Sequence, residues 1–550
     1  MTNMRTGGQI LVDALLAQGC DRIFTVPGES FLPVLDALVD MPQIDVVVTR
    51  AEGGAAFMAE ADGKMTRRPG ICFVTRGPGA TNASIGVHVA MQDSTPMILF
   101  VGDVARYARD REGFQEVDFP AFFAPLAKWA ARIEDATRIP EYVARAYATA
   151  MNGRPGPVVL ALPEDMLESE AAALDRPRIN RVLQDNDIGT SLEARKMIEA
   201  AERPVMIIGG AEWTAETGTE VQAFAEEFGI PLIAAFRRQD AVANDCPVYA
   251  GHLGYGPNPK LIERVRSADL IVALGTRLGE ATTDGYTLIT PDHPDQKLIH
   301  VHPDPNELDR VYRTDLAICC DILAFAKLMT VPTSDVVPRS HGADAHAEWE
   351  AWNMPFANGM PLDLGLCWAE LRKSLPADSI ICNGAGNFSA WAHRFWRYAA
   401  QPSQLAPTAG AMGYGVPAAI AAAIRFPNRL AVAVAGDGDF QMNGQELATA
   451  ARQGARLLVL LVDNGSYGTI RMHQERRYPT RISATDLVNP DFAALARAYG
   501  GWAETVETTG QFAPSLARAL EQPGIALLHL KTDIERISPA LTVSGLRAAT

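Results

Sequence analysis

Asp437 stands between two glycines at the end of an apolar run, AVAVA, and Asn464 closes a second apolar run, LLVLLVDN. A helix-patterned segment separates them. A strand–helix–strand unit of this kind brings both polar side chains to the carboxyl ends of neighbouring parallel strands, the edge where open α/β sheets bind ligands. Neighbouring strands lie about 4.8 Å apart, so one small ion can touch both. The donors are hard oxygens: the Asp437 carboxylate, the Asn464 amide oxygen and a backbone carbonyl from the turn at Ser466. Magnesium prefers such ligands and completes its octahedron with phosphate oxygens and water. Gly436 and Gly438 remove side chains where a diphosphate would approach the backbone. A helix after Asn443 would aim its free N–H groups at the same anion. Gly-Asp-Gly alone supports only an ordinary turn. With Asn464 after a second buried strand, the segment reads as a metal–diphosphate site.

The elements that must hold this site recur along the chain. At 550 residues it is too long for one hydrophobic core, and it suggests about three domains. Apolar runs alternate with helical patterns, which predicts an α/β fold of parallel sheets with helices on both faces. The first unit (1–170) holds IDVVVT (44–49), GICFVT (70–75), MILFVG (97–102) and PVVLALP (157–163). A Pro-punctuated stretch from about Glu170 to Thr190 reads as a linker. The second unit (190–332) holds PVMIIGG (204–210), PLIAAF (231–236), LIVALG (270–275) and LIHVHP (298–303). A second linker, 331–346, leads to the third unit (350–550), with SIICNG (379–384), the metal segment and IALLHL (525–530). No fixed-period repeat is visible.

Composition excludes some functions. The formal charge of −16 argues against nonspecific nucleic-acid binding. No apolar run reaches membrane-spanning length, and the first residues lack a signal-peptide layout, so the expected setting is cytoplasmic with no membrane partner. The seven cysteines show no CxxC spacing, which fits reduced thiols and gives no zinc site.

With Asp437, Asn464 and their spacing, the chain resembles the thiamine-diphosphate enzymes, whose signature is GDG followed roughly 25–30 residues later by an Asn-rich turn. The resemblance implies magnesium bound by Asp437, Asn464 and the Ser466 carbonyl. The family usually shows Asn-Asn where this chain has Asp463-Asn464. FQEVD (114–118), GRPGPVVLALPEDM (153–166) and GYGVP (413–417) are similar to the acetolactate synthase group, from about residue 6 to residue 535. That group implies a pyrimidine-binding, a central and a diphosphate-binding domain. It also implies a cofactor bridging two subunits, hence a homodimer or homotetramer.

The cofactor's thiazolium C2 proton is removed by its own 4′-amino group when a shielded Glu hydrogen-bonds to the pyrimidine N1′. Glu52 matches the family Glu, after IDVVVT and at the head of the small-residue helix GGAAFMAEADG. Taken alone it reads as a helix N-terminal acid favoured by the dipole. The family's preceding His is Ala51 here. Met412 occupies the position of the apolar wedge under the two rings, with Gly410 beside it. A core role is the ordinary explanation for a methionine. The loop GPGATN (77–82), with Asn82, is expected beside the pyrimidine, and Pro27-Gly28 near the thiazolium.

The substrate is expected to be a 2-oxo acid, with a carbonyl compound as acceptor. Phe114 and Gln115 resemble residues near the reactive carbon, and Lys128 and Arg277 also match. Arg277 suits a carboxylate, or equally an interdomain ion pair. His473 stands where the biosynthetic enzymes carry Trp, and reads either as a substrate residue or as a solvated helix residue. Glu29 replaces the second Gly of Pro-Gly-Gly, and Arg76 replaces a small residue and is expected to pair with Glu29. These departures turn the reading from branched-chain biosynthesis toward another acceptor or a simple decarboxylase or aldehyde lyase. No His-His dipeptide occurs, unlike in pyruvate decarboxylases, and the strand before the pyrimidine loop ends Val74-Thr75-Arg76, without the His of the benzoylformate-decarboxylase pattern. FAD stays open, on loose matches at 251–259 and 275–280. A non-catalytic, cofactor-sensing relative is a third reading, opposed by the retention of Glu52, Asp437 and Asn464.

Overall fold

The computed structural model describes residues 4–548 apart from 212, 293, 331–338 and 400. Among them are three six-stranded sheets and one two-stranded sheet. The strand pairings described within the six-stranded sheets are parallel. The apolar runs account for this. Gly70–Val74, Met97–Asp103 and Pro157–Pro163 are buried at every residue, as strands with helices on both faces must be.

Contacts gather the chain into two compact units. The first comprises 1–182, 407–428 and 440–457. Its sheet runs Asp45–Val48, Arg22–Thr25, Gly70–Val74, Met97–Asp103, Pro157–Pro163, Trp129–Arg132. The small residues of the helix Glu52–Thr66 let its neighbours approach closely. A Cβ at Gly86, in the helix Gly77–Asp93, would lie 2.4 Å from the Ala56 Cβ. The helix Gly415–Arg425 belongs to the same unit, where Arg425 pairs with Asp21 and Asp62.

The second unit comprises 183–406, 429–439 and 458–550. Its central sheet runs Tyr249–His252, Leu232–Ala234, Pro204–Ile208, Leu270–Leu274, Lys297–Val301, Leu316–Ile318. The other runs Gln404–Leu405, Ile380–Asn383, Ala431–Gly436, Leu457–Asp463, Ile525–Lys531, Trp502–Val506. Numbered by chain order, the first and last sheets share the order 2-1-3-4-6-5, and the central sheet is 3-2-1-4-5-6. The first and last thirds thus repeat one topology without a sequence period.

The expected linkers need correction. Glu170–Ala172 forms a strand antiparallel to Met4–Thr6, and the helix Ile188–Ala200 begins before Thr190. In the second, 331–338 lie outside the described residues, while 341–346 open the helix His341–Trp352. That helix buries Gly342, Ala345 and Trp349, and Trp349 meets Tyr249 of the central sheet edge to face. Packing of this apolar stripe holds 341–346 in the helix. No helix among the described residues is long and apolar enough to cross a membrane.

Candidate functional site

In the last sheet, Ala431–Gly436 and Leu457–Asp463 are neighbours, so Asp437 and Asn464 emerge side by side at their carboxyl ends. A short helix Asp437–Asn443 places the carboxylate in its first turn, and the helix expected after Asn443 follows as a separate element, a 3-10 turn Gly444–Glu446 and then Leu447–Gln453. Asp437 is 3 % exposed. One carboxylate oxygen accepts from the Gly438 N–H at 3.0 Å, the other from the Asn489 amide at 2.7 Å. The same Asn489 nitrogen donates to Asp463 at 2.8 Å. Asn464 accepts from the Ser466 N–H at 3.1 Å, and the Ser466 carbonyl from the Gly468 N–H at 2.7 Å. Hydrogen bonds to the strip Thr485–Leu487 pin this turn.

The two acids are not equivalent. Burial opposes the charge of Asp463, but hydrogen bonds from His529, Asn489 and the Gly465 amide, with Lys531 nearby, hold its carboxyl well below the usual range. Burial lifts Asp437 above that range, against its bonds from Asn489 and Gly438, and the neighbouring Asp463 adds to the rise. A cation beside Asp437 would offset both effects. With the Asn464 and Ser466 oxygens it makes an all-oxygen donor set of the hardness magnesium takes, so the residues fit that ion. Among the described residues no group of three or more His, Cys, Asp or Glu side chains is placed to hold a metal, so amide and carbonyl oxygens are needed. The space of a Cβ at Gly436 holds the Phe388 ring, and that at Gly438 the Tyr467 ring.

In the first unit, Glu52 opens its helix half-buried and accepts from the Asn82 amide at 3.0 Å. Asn82 does not sit in a loop: GPGATN forms the first turns of the helix Gly77–Asp93, because proline is tolerated at Pro78 in a first turn. Gly77 N–H is held at 3.0 Å by the carbonyl of Gln115, a residue with φ +64°. Phe114 beside it is 74 % exposed. Pro27, Gly28 and Glu29 follow the strand Arg22–Thr25, and a Cβ on Gly28 would meet the Thr75 side chain at 2.5 Å. Arg76 pairs with Glu29 at 3.5 Å, as expected, and more closely with Glu164. Lys128 spends its ammonium on the carbonyls of Asn152 and Arg154. Gly410 has φ +70°, and half-buried Met412 follows in the same unit.

In the second unit, Arg277 is half-buried after the strand Leu270–Leu274. His473 is exposed on the helix Gly468–Arg477. Sequence reasoning missed Asn489, whose Asn-Pro dipeptide reads only as a turn. It also missed Glu446, in the first unit. This residue is fully buried, and its carboxylate accepts from the Arg50 and Ala51 N–H groups at 3.0 and 2.9 Å and from the Thr449 hydroxyl at 2.6 Å. Burial raises its carboxyl above the usual range despite those bonds. An acid within ELATAA carries no local signal of its partner.

Comparison with known proteins converges on one family. The N-terminal binding domain of thiamine pyrophosphate enzymes matches residues 5–122, their central domain 192–329 and their C-terminal binding domain 384–530. The large subunit of acetolactate synthase isozyme 2 from Escherichia coli is 30 % identical over 541 residues, 97 % of each chain. Acetolactate synthase from Mycobacterium bovis is 31 % identical over 519 residues, 90 % of this chain and 82 % of that one. The Lactococcus lactis large subunit is 30 % identical over 514 residues, 90 % and 87 % of the two. The chain therefore belongs to the thiamine pyrophosphate enzymes, in the branch that holds the acetolactate synthases.

Proposed function

We propose that this enzyme decarboxylates a 2-oxo acid and joins the remaining fragment to a second carbonyl compound, with thiamine diphosphate anchored through magnesium. The observation that carries the reading is the buried Asp437 beside Asn464 and Ser466 at two adjacent strand ends. The acetolactate synthase relatives support the reaction class. Asp437, Asn464 and the Ser466 carbonyl would hold the metal. Bound thiamine diphosphate supplies the carbon nucleophile and the electron sink for loss of CO2. Glu52 holds a proton at the pyrimidine N1′, and Asn82 fixes the orientation of its carboxylate. Gly410 and Met412 support the rings, with Pro27 and Gly28 at the thiazolium end. Phe114, Gln115, Glu29, Arg76, Arg277 and His473 are assigned to the substrate side.

We further propose domains at 1–170, 190–332 and 350–550, a cytoplasmic setting and a homodimer or homotetramer. Each site would combine Glu52 of one copy with Asp437 of another. Exposed Phe114 supports that assembly, since a large apolar side chain beside a reactive centre gains from cover. In the central sheet the order reverses between Pro204–Ile208 and Leu270–Leu274, where open sheets hold dinucleotides. A visible spectrum of the purified protein decides whether FAD fills that place. Incubation with pyruvate tests the reaction. Acetolactate supports ligation, acetaldehyde alone supports the lyase alternative, and no turnover directs the search to other 2-oxo acids.

A further inference from the structure

The helix that carries Glu52 begins without a cap of its own. Its N-cap residue is Ala51, and no side chain of that residue can accept the free N–H groups. Instead, a carboxylate nearly 400 residues along the chain, in the same compact unit, accepts from the two amides that lead into the helix. Glu446 places one carboxylate oxygen 3.0 Å from the Arg50 N–H and 2.9 Å from the Ala51 N–H, and its second oxygen 3.2 Å from the Arg50 N–H. Arg50 and Ala51 close the three-residue link between the strand Asp45–Val48 and the helix. The Thr449 hydroxyl orients the carboxylate from its own turn. The approach is close enough that a side chain at the first turn would displace the carboxylate. A Cβ on Gly54 would lie 2.6 Å from the Glu446 Oε1.

We infer that Glu446 is a positioning residue for cofactor activation: it fixes where the Glu52 helix starts, and hence where the Glu52 carboxylate stands. The inference rests on the reading of Glu52 as the acid that meets the pyrimidine ring. Several features argue against a general packing role. The contact is charge-assisted, it is confined to the two amides immediately before Glu52, and the carboxylate is fully buried. A helix start set by one pair of hydrogen bonds is a stiff device, because small misplacements of an acid–base group cost large factors in rate.

The test reads geometry and chemistry separately, without a known substrate. Amide hydrogen exchange of the protein without cofactor reports the protection of Arg50 and Ala51. Exchange of the C2 proton of bound thiamine diphosphate, followed in heavy water with magnesium, reports activation. Glu446→Ala is expected to speed exchange at the two amides roughly tenfold or more and to slow C2 exchange by a similar factor. Glu446→Gln keeps an acceptor but loses the charge, so both changes are expected in the same direction and smaller. This variant serves if the alanine protein does not fold. Calorimetric affinity for the cofactor is expected to stay within a few fold in both. The inference is overturned if amide protection is lost while C2 exchange is unchanged, or if C2 exchange slows while protection stays intact. Glu52→Gln is the control. If it leaves C2 exchange at the native rate, the reading of Glu52 fails, whatever Glu446 does.

Discussion

A buried carboxylate needs a partner of opposite charge or a proton, and the two acids at the strand ends meet that need differently. Asp463 has His529, Lys531 and Asn489, whereas Asp437 shares Asn489 and the Gly438 amide and is left raised by burial. Asn489 therefore orients the carboxylate assigned to the metal. Residues that hold ligands in place typically matter about 10–100-fold in metal affinity. Asn489→Ala is expected to weaken magnesium-supported cofactor binding within that range, measured by titration calorimetry, while Tm changes little. Unaltered affinity would remove Asn489 from the site. Glu52→Gln is expected to leave cofactor affinity within a few fold and to cut turnover by roughly a hundredfold or more. Equal activity in the variant would contradict the proton-relay role.

At the scale of elements, close approach does much of the positioning. A Cβ on Gly384, directly after Ile380–Asn383, would lie 2.1 Å from the Asp439 carboxylate, whose oxygen accepts from the Ala385 N–H. Gly384→Ala is expected to destabilise by about 1–3 kcal/mol, read by denaturant unfolding. A stability equal to the parent would show that Asp439 can step aside. Most of the buried strands and the turns bearing Asp437, Asn464 and Glu52 were legible in the sequence because full burial leaves unbroken apolar runs, whereas the short interior strand Arg22–Thr25, opened by a charged residue, was not. The edge strands Trp129–Arg132, Tyr249–His252, Leu316–Ile318, Gln404–Leu405 and Trp502–Val506 escaped that reading. They are short or mixed in polarity, as edges tend to be. The partners Asn489 and Glu446 were hidden for a different reason: their roles depend on contacts across long separations, for which local spacing carries no record.

At the scale of the whole molecule, two consequences separate the assembly from its parts. If Glu52 of one copy serves Asp437 of another, the inactive Glu52→Gln and Asp437→Ala chains should complement when co-expressed. Random pairing gives roughly a quarter of native activity, from one intact site in half of the dimers. No recovery would place both residues' work within a single chain. The second consequence concerns acid. Burial lowers His252 and His302 from 6.5 to about 4, the neighbouring His300 adding to the effect at His302. Both are neutral when folded, whereas the unfolded chain takes up protons below about 6.5. Their contribution is therefore fully present above that pH and is lost as pH falls toward 4. The measured Tm is expected to drop over this interval, and replacing both residues by Asn should flatten the slope.

The proposed chemistry stands on one ion at two strand ends. Calorimetry of the purified protein with thiamine diphosphate, with and without magnesium, tests it most directly. Binding is expected only with the metal, and is expected to be lost in Asp437→Ala. Binding that ignores both the cation and that substitution would take the ion out of the proposed chemistry.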